Sequence, residues 1–203
     1  MQNLLSLIEK EFDEAEGWIR IVDANWYSND LRLDVSISMH DESQPELWEI
    51  SCDQVVEESI NSTGTETIML SSKSPLLIPY SDIQFDLMFS DNFCDPEALL
   101  GIVLSCCIEV FSRAEYIHRF LNQSPELKGI VSSKYGKLGR FPESLAIKIM
   151  KALEAKPIRI NALDQGVPKK WNGSEFVSYS QNLQVLELGT SYIIGERFSA
   201  ERA

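Results

Sequence analysis

Between Leu31 and His40 the chain alternates without a break: Leu31, Leu33, Val35, Ile37 and Met39 are separated by Arg32, Asp34, Ser36, Ser38 and His40. Successive side chains of a β-strand leave opposite faces, so this pattern describes a strand with one buried and one solvated face. Such a strand needs neighbours in a sheet and a layer to cover its apolar side. The flanking sequence supplies both. Trp18 to Ser28 is rich in β-branched and aromatic residues, with a turn at Asn29-Asp30, and Trp48, Ile50 and Cys52 alternate again beyond Pro45. The three segments predict an antiparallel meander. Ahead of them, Leu4, Leu5, Ile8 and Phe12 fall at helical spacing and predict an amphipathic opening helix that Gly17 ends.

Further along, Ile83, Phe85, Leu87 and Phe89 alternate with Gln84, Asp86, Met88 and Ser90, as in another strand. Asp95-Pro96-Glu97 then reads as a helix start, with a capping carboxylate, proline in the first turn and an acid facing the positive end of the helix dipole. From Ala98 to Phe111 the residues are apolar nearly all round, which predicts a long central helix buried on several sides and continuing to about Leu121. On that expectation Leu104→Ala costs about 2–5 kcal/mol. Glu109 and Arg113, and Glu115 and Arg119, are spaced as helix-surface pairs. A short helix is expected after Ser124-Pro125, and another from Pro142 to Ala155 with Leu145, Ile149 and Leu153 on one face. The tail from Ile158 to Phe198 looks β-rich, with a hairpin turning at Gly189-Thr190. The expected fold is therefore α+β: an antiparallel sheet, made of the N-terminal meander and the C-terminal hairpin, packed against the central helix. At 203 residues, with no repeat or linker, one domain spanning 1–203 is the expectation.

With 44% hydrophobic and 24% charged residues the composition is that of a folded globular chain. Met1 to Leu5 has no basic leader and runs into Glu9, Glu11, Asp13 and Glu14, and the apolar run Ala98 to Ile108 is shorter than the roughly 20 residues a membrane helix needs. A cytoplasmic location is the expectation. Cys52, Cys94, Cys106 and Cys107 lack metal-binding spacing, and the adjacent pair is badly placed for a mutual disulfide, so reduced, buried thiols are expected.

No phosphate-binding glycine loop, zinc-binding HExxH, nucleophile elbow or EF-hand loop occurs, and no cofactor or metal is expected. His40 falls on the polar side of its strand and His118 among polar helix residues, both positions that read as surface. Cys52 could act as a nucleophile, but its place on the apolar face with Trp48 and Ile50 reads as inert packing. Asp82 and Asp86 are spaced like paired catalytic carboxylates, but alternate acids on a strand are more often its solvated face.

Charge is the most distinctive property. Residues 1–100 hold 21 acids and 4 bases, net −17, whereas residues 101–203 hold 10 and 14, net +4, which together make −13. Such an asymmetry can steer association with a charged partner or orient subunits, and it is equally the mark of a charge that serves only solubility. The leading expectation is a non-catalytic intracellular binding protein, of the immunity or inhibitor type, that meets a basic protein partner through Asp23, Asp30, Asp34, Asp41 and Glu42 on the first hairpin and its loops. A secretion-type chaperone is a second reading, from the order of helix, strands and helix. A third is an enzyme acting on a phosphorylated or carboxylated small molecule. For it, Lys134, Lys137 and Arg140 would form an anion-binding loop between Ser132 and Pro142, before a helix start. Nucleic acid is disfavoured as a partner by the acidic balance.

Overall fold

The computed structural model describes residues 1–12, 17–39, 44–61, 63–91, 94–112, 115–121 and 133–203. In chain order the elements begin with α1 (Gln2–Phe12), β1 (Gly17–Tyr27), β2 (Asp30–Met39), β3 (Glu46–Asp53), β4 (Glu57–Ser59) and β5 (Ile68–Ser71). Next come α2 (Ile78–Ser81), β6 (Gln84–Ser90), α3 (Pro96–Phe111), β7 (Gly136–Pro142), α4 (Glu143–Leu153) and β8 (Arg159–Gly166). The chain closes with β9 (Lys169–Trp171), β10 (Phe176–Ser178), β11 (Gln184–Leu188), β12 (Ser191–Gly195) and β13 (Arg197–Arg202). The fold is α+β with antiparallel sheets, and the chain divides into two compact units: Met1–Leu77 with Ser180–Ala203, and Ile78–Tyr179.

The first unit contains the meander. Its strands pair antiparallel in the order β1, β2, β3, and β13 adds beyond β3. Leu31, Leu33, Val35 and Ile37 are all buried, so the alternation fixed the register of β2 correctly. The first hairpin turns at Ser28-Asn29, one residue earlier than the Asn-Asp signal indicates, with Ser28 at φ 61. The C-terminal hairpin β11–β12 turns at Gly189-Thr190 as expected. Gly189 takes φ 60 at the first central position, a conformation that favours glycine.

That hairpin does not extend the meander. It lies in a second four-stranded sheet of order β4-β12-β11-β5, and the chain crosses to the first sheet between β12 and β13. Inward residues of both sheets, among them Ile50, Cys52, Leu186 and Ile193, share one apolar core with Leu4 and Ile8 of α1. The helix built into this core is thus the opening one.

The expected central helix belongs to the second unit, where α3 packs with α4 beside the antiparallel sheet β7-β6-β8. Its start is as expected: Asp95 caps it by accepting the Ala98 N–H at 3.1 Å, and Pro96 opens the first turn. Its length and burial are not. The helix ends at Phe111, because Ser112 adopts the left-handed conformation and its N–H bonds back to the Ile108 carbonyl. Only Leu99, Val103, Cys106, Cys107 and Phe111 are buried, a single face at helical spacing, while Leu104 is 37% and Ile108 44% exposed. A sequence apolar all round cannot reveal which stripe is used. Glu109 pairs with Lys148 of α4; Arg113, its expected partner, lies outside the described residues, as does the short helix expected after Ser124-Pro125. In α4, Leu145, Ile149 and Leu153 are buried as expected.

Candidate functional site

The outer face of the first sheet begins with a bulge. Up to Ile21, odd-numbered residues of β1 face the core, so an unbroken strand would turn Asp23 inward. The register shifts between Ile21 and Asp23, the extra residue Val22 is pushed out to 61% exposure, and Ala24 takes the core side instead. A bulge re-aims a side chain in this way. Here it places Asp23 on the solvent face.

There Asp23 stands opposite Asp34 of β2, Asp34 opposite Glu49 of β3, and Glu49 opposite Glu201 of β13. Four carboxylates cross the sheet in one row. Like charges directly opposite each other destabilise a sheet, and the row is only partly relieved. Arg32 reaches Glu49 at 3.2 Å and lies over the Tyr27 ring, 5.2 Å from its centroid. Asp23 accepts the Ala24 N–H through Oδ1 and the Asn25 side-chain amide through Oδ2, each at 2.9 Å. Asp34 and Glu201 have no ion-pair partner among the described residues.

The other expected contributors do not join this row. Asp30 closes the hairpin, and its Oδ1 accepts the Gln54 N–H at 2.8 Å, which ties β2 to the turn after β3. Asp41 and Glu42 lie outside the described residues, as does His40. Glu49 and Glu201 were missed by sequence reasoning. The first had a signal, since it sits between Trp48 and Ile50 on the polar side of an alternating run. The second had none, because the pairing of β13 with β3 joins segments about 150 residues apart.

The division into units also relocates the charge. The first unit holds 19 acids and 6 bases, net −13, and the second holds 12 of each, so the first carries the entire net charge. The basic surplus after residue 100 is balanced within its own unit by the acids of residues 78–100.

The segment expected as an anion-binding loop is largely strand. Residues 136–142 form β7 and run directly into α4. Arg140 lies opposite Asp86 in the register and contacts both its oxygens, at 2.7 and 3.1 Å, while the Lys137 ammonium sits 2.8 Å from Oδ1. These bonds from Arg140 and Lys137 hold the Asp86 carboxyl below the usual carboxylate range, against the opposing effect of its own partial burial. Two of the three expected anion ligands are therefore committed to a carboxylate, and Lys134 is exposed. Asp82 contacts the Ser81 hydroxyl and is not part of the Asp86 cluster. Gly139 serves close approach: a Cβ there would collide with the Phe120 carbonyl oxygen, to which the Arg140 N–H bonds at 2.8 Å.

No family model, curated protein or solved structure matches this chain. Burial, with a smaller contribution from Asp53, pushes the Cys52 thiol up to about 12, which keeps it protonated and non-nucleophilic. His118 is exposed. Among the described residues no group of three or more His, Cys, Asp or Glu has metal-binding geometry, and no helix is long and apolar enough to cross a membrane.

Proposed function

We propose that this chain is a non-catalytic binding protein of the immunity or inhibitor type, and that the outer face of its first sheet receives a basic protein partner. The observation that supports the reading is the register that sets Asp23, Asp34, Glu49 and Glu201 side by side. Such a row repels itself in the free protein, and a cationic surface laid across it relieves the repulsion. Exposed Trp18 and Tyr27 on the same strand add the large, rigid contact area that recurs at binding hot spots.

The test compares two baits in affinity capture from the native source: the parent chain, and a variant with Asp34→Lys and Glu49→Lys. The parent should retain a basic protein that the variant loses, and added salt should lower its association rate by about tenfold or more. Charge reversal at Asp164 and Glu175 in the second unit should leave binding unchanged. Identical capture by both baits, or a captured partner that is acidic, would overturn the reading.

A further inference from the structure

The outer edge of β1 ends the first sheet. Ile19 closes its beginning by exchanging backbone hydrogen bonds with Thr65 at 2.7 and 2.9 Å. From Ile21 to Tyr27 no described strand pairs with it. Tyr27 and Asp30 close a two-residue hairpin and are therefore hydrogen-bonded to each other, so moving back along β1 Asn25 faces β2 while Trp26 and Ala24 turn their backbone groups outward. The Ala24 N–H confirms this direction. Its acceptor is the Asp23 carboxylate, not a neighbouring strand. Beside this edge Val22 is 61% and Trp26 50% exposed. An open edge carrying large apolar side chains is a template for one more strand.

We propose that an extended basic segment of a partner protein adds to the edge of β1 between Ile21 and Tyr27, and that Asp23 selects for it. The inference rests on the acidic-face reading and names how the partner engages it. In a strand added here, the residue opposite Asp23 joins the acid row as its fifth member. A Lys or Arg at that place takes the Asp23 carboxylate, which frees the Ala24 N–H to pair with the incoming backbone. An acidic or neutral residue leaves the carboxylate in place and the donor occupied. Residues that alternate with the cation fall on the opposite face, the one Ala24 and Trp26 share, where apolar side chains fit. The recognised pattern alternates basic and apolar residues. A second copy of this chain fits badly, because antiparallel pairing of two β1 edges would join two acid rows.

The probe is a synthetic peptide of alternating Lys and Val, titrated into the full chain at low salt, with tryptophan fluorescence as the binding signal and amide hydrogen exchange at Ala24 and Trp26 as the strand signal. The parent should bind it and gain protection at both amides. A Glu-Val peptide should not bind. Methylating the peptide's pairing amides, which keeps its charge, should weaken binding about tenfold or more through lost backbone hydrogen bonds. Ala24→Pro should do the same while leaving every carboxylate in place, since an edge strand tolerates proline where its N–H faces outward. The methylated peptide makes the test independent of how that variant folds. If neither methylation nor Ala24→Pro changes affinity while Asp34→Lys with Glu49→Lys abolishes it, strand addition is overturned and the acidic face stands. If the parent does not bind the Lys-Val peptide at all, or self-associates through β1, strand addition is overturned, and capture of a basic protein by the parent alone decides the acidic face.

Discussion

Reversing the charge at the centre of the acid row should make the protein more stable and its binding weaker. Asp34 has an acidic neighbour on each side, Asp23 and Glu49. The hairpin closure makes Asp23–Asp34 a hydrogen-bonded pair and Asp34–Glu49 a non-hydrogen-bonded one, with Cα separations of about 5.5 and 4.5 Å. Exposed cross-strand pairs contribute about 0.2–1 kcal/mol each, with the sign set by charge. Asp34→Lys converts two repulsions into two attractions, which amounts to about 1–2 kcal/mol at low salt; Asp34→Asn removes the repulsions only and should gain about half. Urea denaturation is the appropriate assay, because guanidinium would itself screen the row. At 1 M salt the Debye length falls to about 3 Å and the gain should shrink to a few tenths of a kcal/mol. A loss of stability at low salt, or a gain indifferent to salt, would show that these carboxylates do not feel one another. On the proposed function the same substitution should also weaken capture of a basic partner, a trade of recognition for stability.

Other expectations concern the second unit and the thiols. Asp86→Ala should cost about 1 kcal/mol at pH 7, because it strands Lys137 and Arg140 on a partly exposed strand. The Asp86 contribution is present above the ordinary carboxylate pKa of about 3.9 and lost as pH falls through its lower native value, so parent and variant should converge in acid; a difference unchanged by pH would refute the pairing. Leu99→Ala should cost about 2–5 kcal/mol and Leu104→Ala less than about 1, since the first is fully buried and the second is not; equal losses in denaturant titration would place α3 in another rotation. Under native conditions a thiol reagent should modify Cys94, which is partly exposed, well before Cys52, Cys106 and Cys107, as peptide mapping would reveal. Rapid labelling of Cys52 would contradict its burial.

What could be read locally was read correctly where one side of an element is wet. The period of two from Leu31 to Ile37, the Asp95-Pro96 helix start, the stripe of α4 and the Gly189 turn each rest on forces acting within a few residues, and each stands where the sequence puts it within a residue or two. The buried face of α3 was illegible because its sequence contrasts too little between faces, and its end at Ser112 depends on a backbone conformation that serine does not announce. The basic segment was misread for a related cause. Its glycines resemble turn residues, yet Gly139 is required by the approach of the Phe120 carbonyl, a neighbour set by tertiary contact.

The sequence by itself determined an acidic α+β chain with an N-terminal meander, and it placed Asp23 and Asp34 on one hairpin. Only the tertiary structure decided that they face the same way, because one bulged residue reverses the alternation of β1 and nothing in the order of amino acids marks Val22 as the extra one. It alone brought Glu201 beside Glu49 and gathered the whole net charge into one unit. Charge is additive along a chain, but repulsion and recognition depend on distances across strands, and those are fixed by register, which long-range pairing sets and local sequence does not.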